Sequence, residues 1–565
     1  MNSYRQNPLL MTDGYKTSHH AMYPEGTTEV YSNYTLRNVK YMPKQAKKIV
    51  VAGVQYTVKS IHDMYANDFF ARPKAKVCGE AKEYLSSYLG TDYDVSHFEA
   101  LHDLGYLPIE IKALDEGTII DEKIPVFTIK NTHPDFFWLP NFLETLISSL
   151  IWKPVHSASL AYGYKNILLS HARKTDKENL GFVDFQGHDF SFRGMQHPES
   201  AISSGLGFLT SFSGTDTIPA LLAANYYYNT KNVGFSVPAS EHAVMTAYGK
   251  EDEIGAFRRL MQQYPTGILS VVSDSFDLWK VCTEYVTELK EEILSRDGKL
   301  VLRPDSGDPV DILCGSVTLN YDTLDQAKND FNDDLYESTV HGEPEYTIDT
   351  TRIVNVAGTY YKLTEDTDWN RYDKQYYFIE ELIIEAEEVE AKPEYVGVIE
   401  LLWNTFGGTT NGQGYKLLDS HIGAIYGDSI TLDRADTICN RLAAKGFAST
   451  NVVLGIGSYS MGYATRDNQG GAVKATHVVV NGVDRDIFKD PVTDDGTKKS
   501  ARGYLHVYAK DSLTYGLKDK CSRELEQTGL LTTVYTNGEL VKTTTLTEIR
   551  EKINNYSKLV QETVA

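Results

Sequence analysis

LSVVSDSFD (269–277), KLVLRPDSGD (299–308), IGAIYGDSI (422–430) and NVVLGIGS (451–458) share one form. A short apolar run ends in a turn bearing a carboxylate, an arginine or a glycine, and a helical pattern follows. Short apolar runs ending in such turns predict strands. Repeated strand-then-helix units predict a parallel sheet. Chemistry at the strand ends points to an α/β barrel, whose site lies at the C-terminal strand face. An open doubly wound sheet gives the same spacing, so the pattern alone does not close the barrel.

Working outward, residues 151–474 read as the barrel domain. Residues 1–150 read as a mixed-sheet α+β domain, completed by residues 475–565. Within that first part VYSNYTLR (30–37) and LPIEIKAL (107–114) alternate like strands, and KIPVFTIKNTHP (123–134) reads as a strand ending in a turn. FLETLISSLIW and SASLAYGYKNILLSHARK flank Lys153-Pro154 and read as two helices split at the proline. The stretch 313–395 breaks the barrel rhythm with acidic clusters (DFNDDLYE, EELIIEAEEVEAKPE) and aromatic alternation (TYYKL, KQYYFIEEL). It reads as an acidic insertion within the barrel domain, with solvated faces and no catalytic part.

Composition narrows the class. The 565 residues are 41% hydrophobic and 11% aromatic, which fits large buried cores rather than disorder. A net charge of −22 argues against non-specific nucleic-acid binding, yet a phosphorylated ligand needs only a local pocket of cations and amides. The five cysteines are scattered, with no zinc-site spacing, so neither a disulfide framework nor a resident metal site is expected. That usage, and an N-terminus without a signal-peptide pattern, predict a cytoplasmic protein. The apolar stretch 136–152 carries Pro140, Asn141 and Glu144 and reads as a buried helix, not a membrane span.

The chemistry-bearing residues cluster at the strand ends. Asp274, Asp305 and Asp428 stand beside Ser273, Arg303 and Gly427. A lone Asp after a strand is commonly a helix cap, whereas three on one face with an arginine can hold a ribose and a magnesium-bearing phosphate. His242 follows Glu241 at a strand-to-helix junction. It reads either as a packed histidine or as a general base or phosphate acceptor. Gly455-Ile-Gly457-Ser458-Tyr-Ser460 approaches a glycine-rich phosphate turn, and Arg466 follows it; the bland alternative is a tight strand-to-helix turn. Lys474, Lys489, Lys498, Lys499 and Arg502 form a local basic excess in an acidic chain.

Ten ordered motifs carry a resemblance across nearly the whole chain. They run from TDGYKTSHHAMYPEGT (12–27) through HDFSFRG (188–194), FSGTDT (212–217), GFSVPASEHAVMTAYGK (234–250) and RPDSGDP (303–309) to GYATRD and NGVDRDIFKDPV (481–492). Together they resemble the nicotinamide-using branch of the nicotinate/nicotinamide phosphoribosyltransferase family. The resemblance implies an irregular parallel α/β barrel of the type II phosphoribosyltransferase kind, with an additional mixed-sheet α+β domain. It also implies a homodimer with active sites at the subunit interface. The implied reaction joins nicotinamide to phosphoribosyl pyrophosphate, with substrate-bound Mg2+ and with ATP as co-substrate through a phosphohistidine at His242. Glu241, Asp274 and Asp305 join His242 in the implied catalytic set. Phe190 would stack on the pyridine ring and the partner subunit's Tyr15 would cover its other face. Arg193 would hold the carboxamide oxygen and Asp216 would accept from the amide nitrogen. Ser270, Arg303, Gly427 and Asp428 would serve the ribose and its phosphates. Gly457, Ser458 and Arg466 would take the 5′-phosphate, with Ser458 standing where the family usually has glycine. Arg37, from across the interface, with Lys474, Lys489 and Lys498 (or Lys499), would face pyrophosphate or ATP.

Two rivals remain at this level. A nicotinate phosphoribosyltransferase shares the fold, but an aspartate at 216 would repel a carboxylate substrate. A non-catalytic binding or signalling protein could share the fold as well. The retained His242, Asp305, Asp428 and Arg466 speak against it.

Overall fold

The structure, a computed structural model, describes residues 6–341, 351–365, 383–427, 429–489 and 500–564. It divides into two compact units, one of Met1–Ser170, Gly181–Ser236 and Gly455–Ala565, the other of His171–Leu180 and Val237–Leu454.

The first unit is built on a seven-stranded sheet in the order Val483–Asp486, Gly471–Val480, Thr27–Leu36, Pro125–Asn131, Ile109–Ala113, Thr532–Thr536, Glu539–Leu540. Its neighbouring strands pair antiparallel, so distant parts of the chain meet: Tyr34 lies opposite Val473 and Phe127, and Tyr535 opposite Ile111. Tyr34 stacks on Phe127 at 5.3 Å between ring centroids, and both are buried. A buried ion pair, Lys112 Nζ to Glu526 Oε2 at 2.8 Å, ties the C-terminal region to the same sheet. A parallel strand pair, Gly187–Asp189 with Gly214–Thr215, belongs to this unit too. The last helix, Leu546–Val564, buries Leu546, Ile549 and Ile553 against Tyr162, Leu206 and Ala220. Each such fully buried aliphatic side chain contributes about 1.5–3 kcal/mol. Arg550 on that helix donates at 2.6 Å to the carbonyls of Leu209, Phe212 and Val233, and burial lowers its pKa to about 10.

The proline split does not occur. One helix runs Glu144–Thr175 with Pro154 inside it. An internal proline costs about 3 kcal/mol through its missing N–H and its ring clash. Here Ile147, Ile151, Val155 and Ala158 are all essentially fully buried on both sides of it. The ring sits over Gly53, where a Cβ would lie 2.3 Å from Pro154 Cγ. Burial of the flanking turns outweighs the local penalty, which an apolar pattern broken at one residue does not display. Among the described residues, no helix is long and apolar enough to cross a membrane.

The second unit carries three parallel strands and the first part of a fourth, Val452–Leu454. Thr266–Val272, Asp297–Arg303, Ile422–Tyr426 and Val452–Ile456 lie side by side in that order, with Leu269 opposite Leu300, Leu300 opposite Ile422, and Ala424 opposite Val452. Helix Leu432–Ala444 packs Leu432, Ala435, Ile438 and Leu442 inward and is capped by Thr431 Oγ1, which accepts from Arg434 N at 3.2 Å. Asp308 caps Pro309–Cys314 in the same way, accepting from Val310 N and Asp311 N.

The acidic stretch folds as a lobe with its own core. Helix Leu324–His341 packs Ala327, Phe331 and Leu335 on a four-stranded sheet ordered Asn320–Tyr321, Thr351–Val356, Thr359–Glu365, Ile384–Val389, through Val354, Val356 and Leu363. Glu385, Glu387 and Glu388 are exposed. KQYYFIEEL lies outside the described residues. The chain enters and leaves the lobe past two glycines in backbone contact. A Cβ on Gly397 would lie 2.2 Å from Gly315 N, and both residues have positive φ, 86° and 88°. Because entry and exit touch, residues 318–392 can be exchanged for a short Gly/Ser linker of about ten residues. The shortened protein is expected to stay soluble and cooperatively folded and to keep a measurable share of the full-length protein's activity. A folded deletion variant with no turnover would show that the lobe serves the chemistry.

Candidate active site

In the second unit three side chains meet at the ends of the parallel strands. His242 opens the short helix His242–Thr246, which Met245 anchors in the core. Its Nε2 lies 3.1 Å from Asp305 Oδ1 and 3.9 Å from Asp274 Oδ1, and its Nδ1 lies 3.0 Å from Ser275 Oγ. Asp274 follows the strand Thr266–Val272 and is buried. Its Oδ2 accepts from Asp305 N at 2.9 Å and Ser306 N at 2.8 Å, while its Oδ1 is buried with no hydrogen-bond partner among the described residues. The two aspartates therefore do not cap helices: one clamps the turn after Arg303 and the other holds the imidazole. Arg303 donates to the Ser240 carbonyl, and its own N–H donates to Ser273 Oγ at 3.2 Å, tying adjacent strand ends together. Gly427 fits closely here, since a Cβ would meet Asp305 Cβ at 3.1 Å. Ser270 is buried, with its Oγ unpartnered among the described residues. Glu241 is exposed and makes no side-chain hydrogen bond or ion pair among them. Asp428 lies outside the described residues. Ser275, which orients the imidazole, was missed by the sequence reading although it adjoins Asp274.

In the first unit a second constellation surrounds Phe190. Its N–H donates to Ile456 O at 3.1 Å, which fixes the ring at the end of Gly187–Asp189. His188 lies tilted against it at 4.5 Å. Asp216 Oδ1 accepts from Ser236 Oγ at 2.5 Å and lies 2.9 Å from His188 Nε2. The helix after it, Ile218–Tyr228, has Thr217 as its N-cap with no side-chain cap bond. Asp189, fully buried, accepts from Ser191 N at 2.9 Å and shapes the turn to Arg193, which is exposed. His188 and Ser236 were not singled out from the sequence. The only signal was their place in the motifs HDFSFRG and GFSVPAS.

That turn closes on Gly457-Ser458: a Cβ on Gly194 would lie 2.0 Å from Ser458 Oγ. Gly194, Ser458, Tyr463, Thr465 and Asn468 line an open cavity of about 610 Å³. Arg466 stands on the adjoining turn, held by Thr465 and Asn468, with its guanidinium 3.2 Å from Asp467. Beneath, Lys153 donates to the Met461 carbonyl, and burial pushes its pKa down to about 8. A separate cavity of about 270 Å³ on the antiparallel sheet gathers Arg37, Lys474 and Lys489. Arg37 Nε is fixed on Gly470 O at 2.7 Å. Arg502 lies against Phe488 instead, 3.6 Å from the ring centroid. Tyr15 is 64% exposed. Lys498 and Lys499 lie outside the described residues.

A histidine and carboxylates at parallel strand ends, a carboxylate linked through His188 to Phe190, and a basic cavity are features of an α/β enzyme acting on a phosphorylated substrate. The comparisons narrow that class. The profile of the nicotinate phosphoribosyltransferase (NAPRTase) family matches residues 185–354 and 384–539. The profile of the nicotinamide phosphoribosyltransferase N-terminal domain matches residues 7–111. Nicotinamide phosphoribosyltransferase of Acinetobacter baylyi (strain ATCC 33305 / BD413 / ADP1) is 42% identical over 565 residues, 98% of either chain. The enzyme of that name from Xanthomonas campestris pv. campestris (strain 8004) is 30% identical over 557 residues, 97% of this chain and 98% of that one. Among solved structures, nicotinate-nucleotide pyrophosphorylase from Pyrococcus furiosus aligns at a TM-score of 0.49 and 13% identity, covering 98% of this chain and 97% of that one. The chain belongs to the nicotinate phosphoribosyltransferase family.

Proposed function

We propose that the protein transfers the phosphoribosyl group of phosphoribosyl pyrophosphate to the ring nitrogen of nicotinamide, giving nicotinamide mononucleotide and pyrophosphate for NAD salvage. The observation that carries this reading is Asp216, a carboxylate held by Ser236 and by His188, whose ring lies 4.5 Å from that of Phe190. A carboxamide can donate to it; a nicotinate carboxylate cannot. The names of the two relatives support the same substrate.

In this reading Phe190 stacks on the pyridine and Arg193 takes the amide oxygen. Arg303, Asp305, Ser270, Gly427 and Asp428 serve the ribose and its phosphates. Gly457, Ser458 and Arg466 take the 5′-phosphate. Pyrophosphate leaves C1 and the pyridine nitrogen bonds to the oxocarbenium-like carbon. Arg37, Lys474, Lys489 and Lys498 offset the charge that develops on the leaving group. Magnesium would arrive on the pyrophosphate of the substrate. Asp274 and Asp305 are hard oxygen donors, and the unpartnered Asp274 Oδ1 fits such an ion, which would neutralise part of the leaving charge. ATP would phosphorylate His242 and improve turnover. A homodimer would bring the partner subunit's Tyr15 onto the pyridine, and the enzyme would work in the cytoplasm.

A competition assay tests substrate choice. Equimolar nicotinamide and nicotinate are incubated with phosphoribosyl pyrophosphate and the two mononucleotides separated. Nicotinamide mononucleotide is expected to exceed the acid product by at least about tenfold, one decade being about 1.4 kcal/mol. An excess of nicotinate mononucleotide would assign the chain to the nicotinate-using branch.

A further inference from the structure

The basic cavity holds one residue that no reading above assigns. Among the described residues Lys123 lines it with Arg37, Lys474 and Lys489, so four cations and one carboxylate, Asp519, share the lining. In a chain of net charge −22 the lining carries an excess of three positive charges, four minus one, and Lys474 Nζ also lies 3.6 Å from Glu144 Oε1, which is not on the lining. Lys123 sits in the turn before Pro125–Asn131 with φ of +68°, a left-handed conformation that costs a residue with a Cβ roughly 1–2 kcal/mol and that glycine adopts freely. The turn is fixed by the Lys123 N–H, which donates to Leu36 O at 2.8 Å, one residue from Arg37. No hydrogen bond or ion pair involves its ammonium among the described residues. The strained turn makes that one backbone contact, while the ammonium it carries to the lining of the cavity has no partner among the described residues. Strain of this kind is found where a side chain must be held toward a ligand.

We propose that Lys123 is a fourth cation of an oligophosphate site formed with Arg37, Lys474 and Lys489. The inference rests on the proposed function for what fills the cavity: the pyrophosphate released in transfer or the phosphates of ATP. Asn33, also on the lining, donates one amide N–H to the Lys474 carbonyl at 3.1 Å and has a second to offer the same oxygens, while the Thr35 hydroxyl donates to Asn33 Oδ1 at 2.7 Å. An ammonium is a point charge with three rotatable donors, suited to the changing geometry of a phosphate chain, whereas Arg37 is locked by Gly470.

The test titrates inorganic pyrophosphate into the full-length protein by calorimetry. Four proteins are compared: wild type, Lys123→Gly, Lys474→Ala and Lys520→Gly. Lys520 is the matched control, a left-handed lysine at φ +52° that does not line the cavity. Lys123→Gly is expected to weaken pyrophosphate binding about 10- to 150-fold, the range for losing one charged hydrogen bond, with a Tm equal to or above that of wild type because the strain is relieved. Lys520→Gly should bind within about twofold of wild type, since it breaks no contact in the cavity. Wild-type affinity in Lys123→Gly, with Lys474→Ala weakened, would overturn the role of Lys123 and leave the cavity reading standing. Wild-type affinity in both would overturn the cavity reading and the inference with it.

Discussion

His242→Ala is expected to abolish ATP hydrolysis and the ATP-dependent gain in product, by at least about 100-fold, while the protein stays folded. The geometry supplies the reason. An ionised carboxylate only accepts hydrogen bonds, so the 3.1 Å contact with Asp305 places the imidazole proton on Nε2. Nδ1 then keeps its lone pair, accepts from Ser275 Oγ at 3.0 Å, and becomes the nucleophile once that hydroxyl turns away. Attack on the γ-phosphorus forms the N–P bond and breaks the bond to the bridging oxygen, with ADP leaving. The Nε2 proton stays on the ring, and Asp305 offsets the positive charge that develops. Alanine removes the nucleophile outright. Because the His242 side chain is 46% exposed, little packing is lost, and Tm should move by no more than about 3 °C. Asp305→Asn should retain weak ATP turnover, since it keeps the histidine and loses only the charge. Undiminished ATP hydrolysis in a folded His242→Ala protein would exclude the phosphohistidine step.

Asp216→Ser should move the preference between nicotinate and nicotinamide by about 10- to 100-fold toward the acid. Two unit charges 4 Å apart interact by about 4 kcal/mol at an effective dielectric near 20. Asp216 is 42% exposed, so solvent screening cuts that figure to roughly 1.4–2.8 kcal/mol, or one to two decades. Nicotinamide efficiency should fall as well, because the amide loses its acceptor. The competing account is purely structural: Asp216 holds His188 and Ser236 in place, and its loss would destabilise the turn without changing preference. The ratio of kcat/KM for the two substrates separates these. An unchanged ratio together with a lowered Tm would reduce Asp216 to a structural residue.

Local pattern carried much of this. The four stretches at 269–277, 299–308, 422–430 and 451–458 contain parallel strands, as apolar runs flanked by turn residues predict; Ile422–Tyr426 is buried on both faces, whereas Asp297–Arg303 buries Leu300 and Leu302 alone. The strand-end position of Asp274 and Asp305 followed from the same reading. What stayed hidden depends on distant partners. Pro154 sits inside a helix because Gly53, about a hundred residues away, leaves room for its ring. His188, on the strand Gly187–Asp189, and Ser236, next to the isolated bridge at Phe235, reach Asp216 from segments separated in sequence, and no periodicity links them. Lys123 reads as an ordinary exposed turn lysine until φ and the cavity lining are known. The touching glycines at 315 and 397, which let a lobe be inserted with little disturbance, are visible only as two isolated glycines. Glu241 shows the reverse case: proximity to His242 in sequence gave it a place in the catalytic set, yet its side chain makes no contact with the imidazole among the described hydrogen bonds.

The central claim, phosphoribosyl transfer to nicotinamide, is tested most directly by product analysis. Purified protein is incubated with nicotinamide, phosphoribosyl pyrophosphate and magnesium, and the pyridine products and pyrophosphate are quantified by NMR. The account predicts nicotinamide mononucleotide and pyrophosphate in equal amounts, with a higher yield when ATP is added. No mononucleotide from folded protein at saturating substrates, with or without ATP, would contradict it.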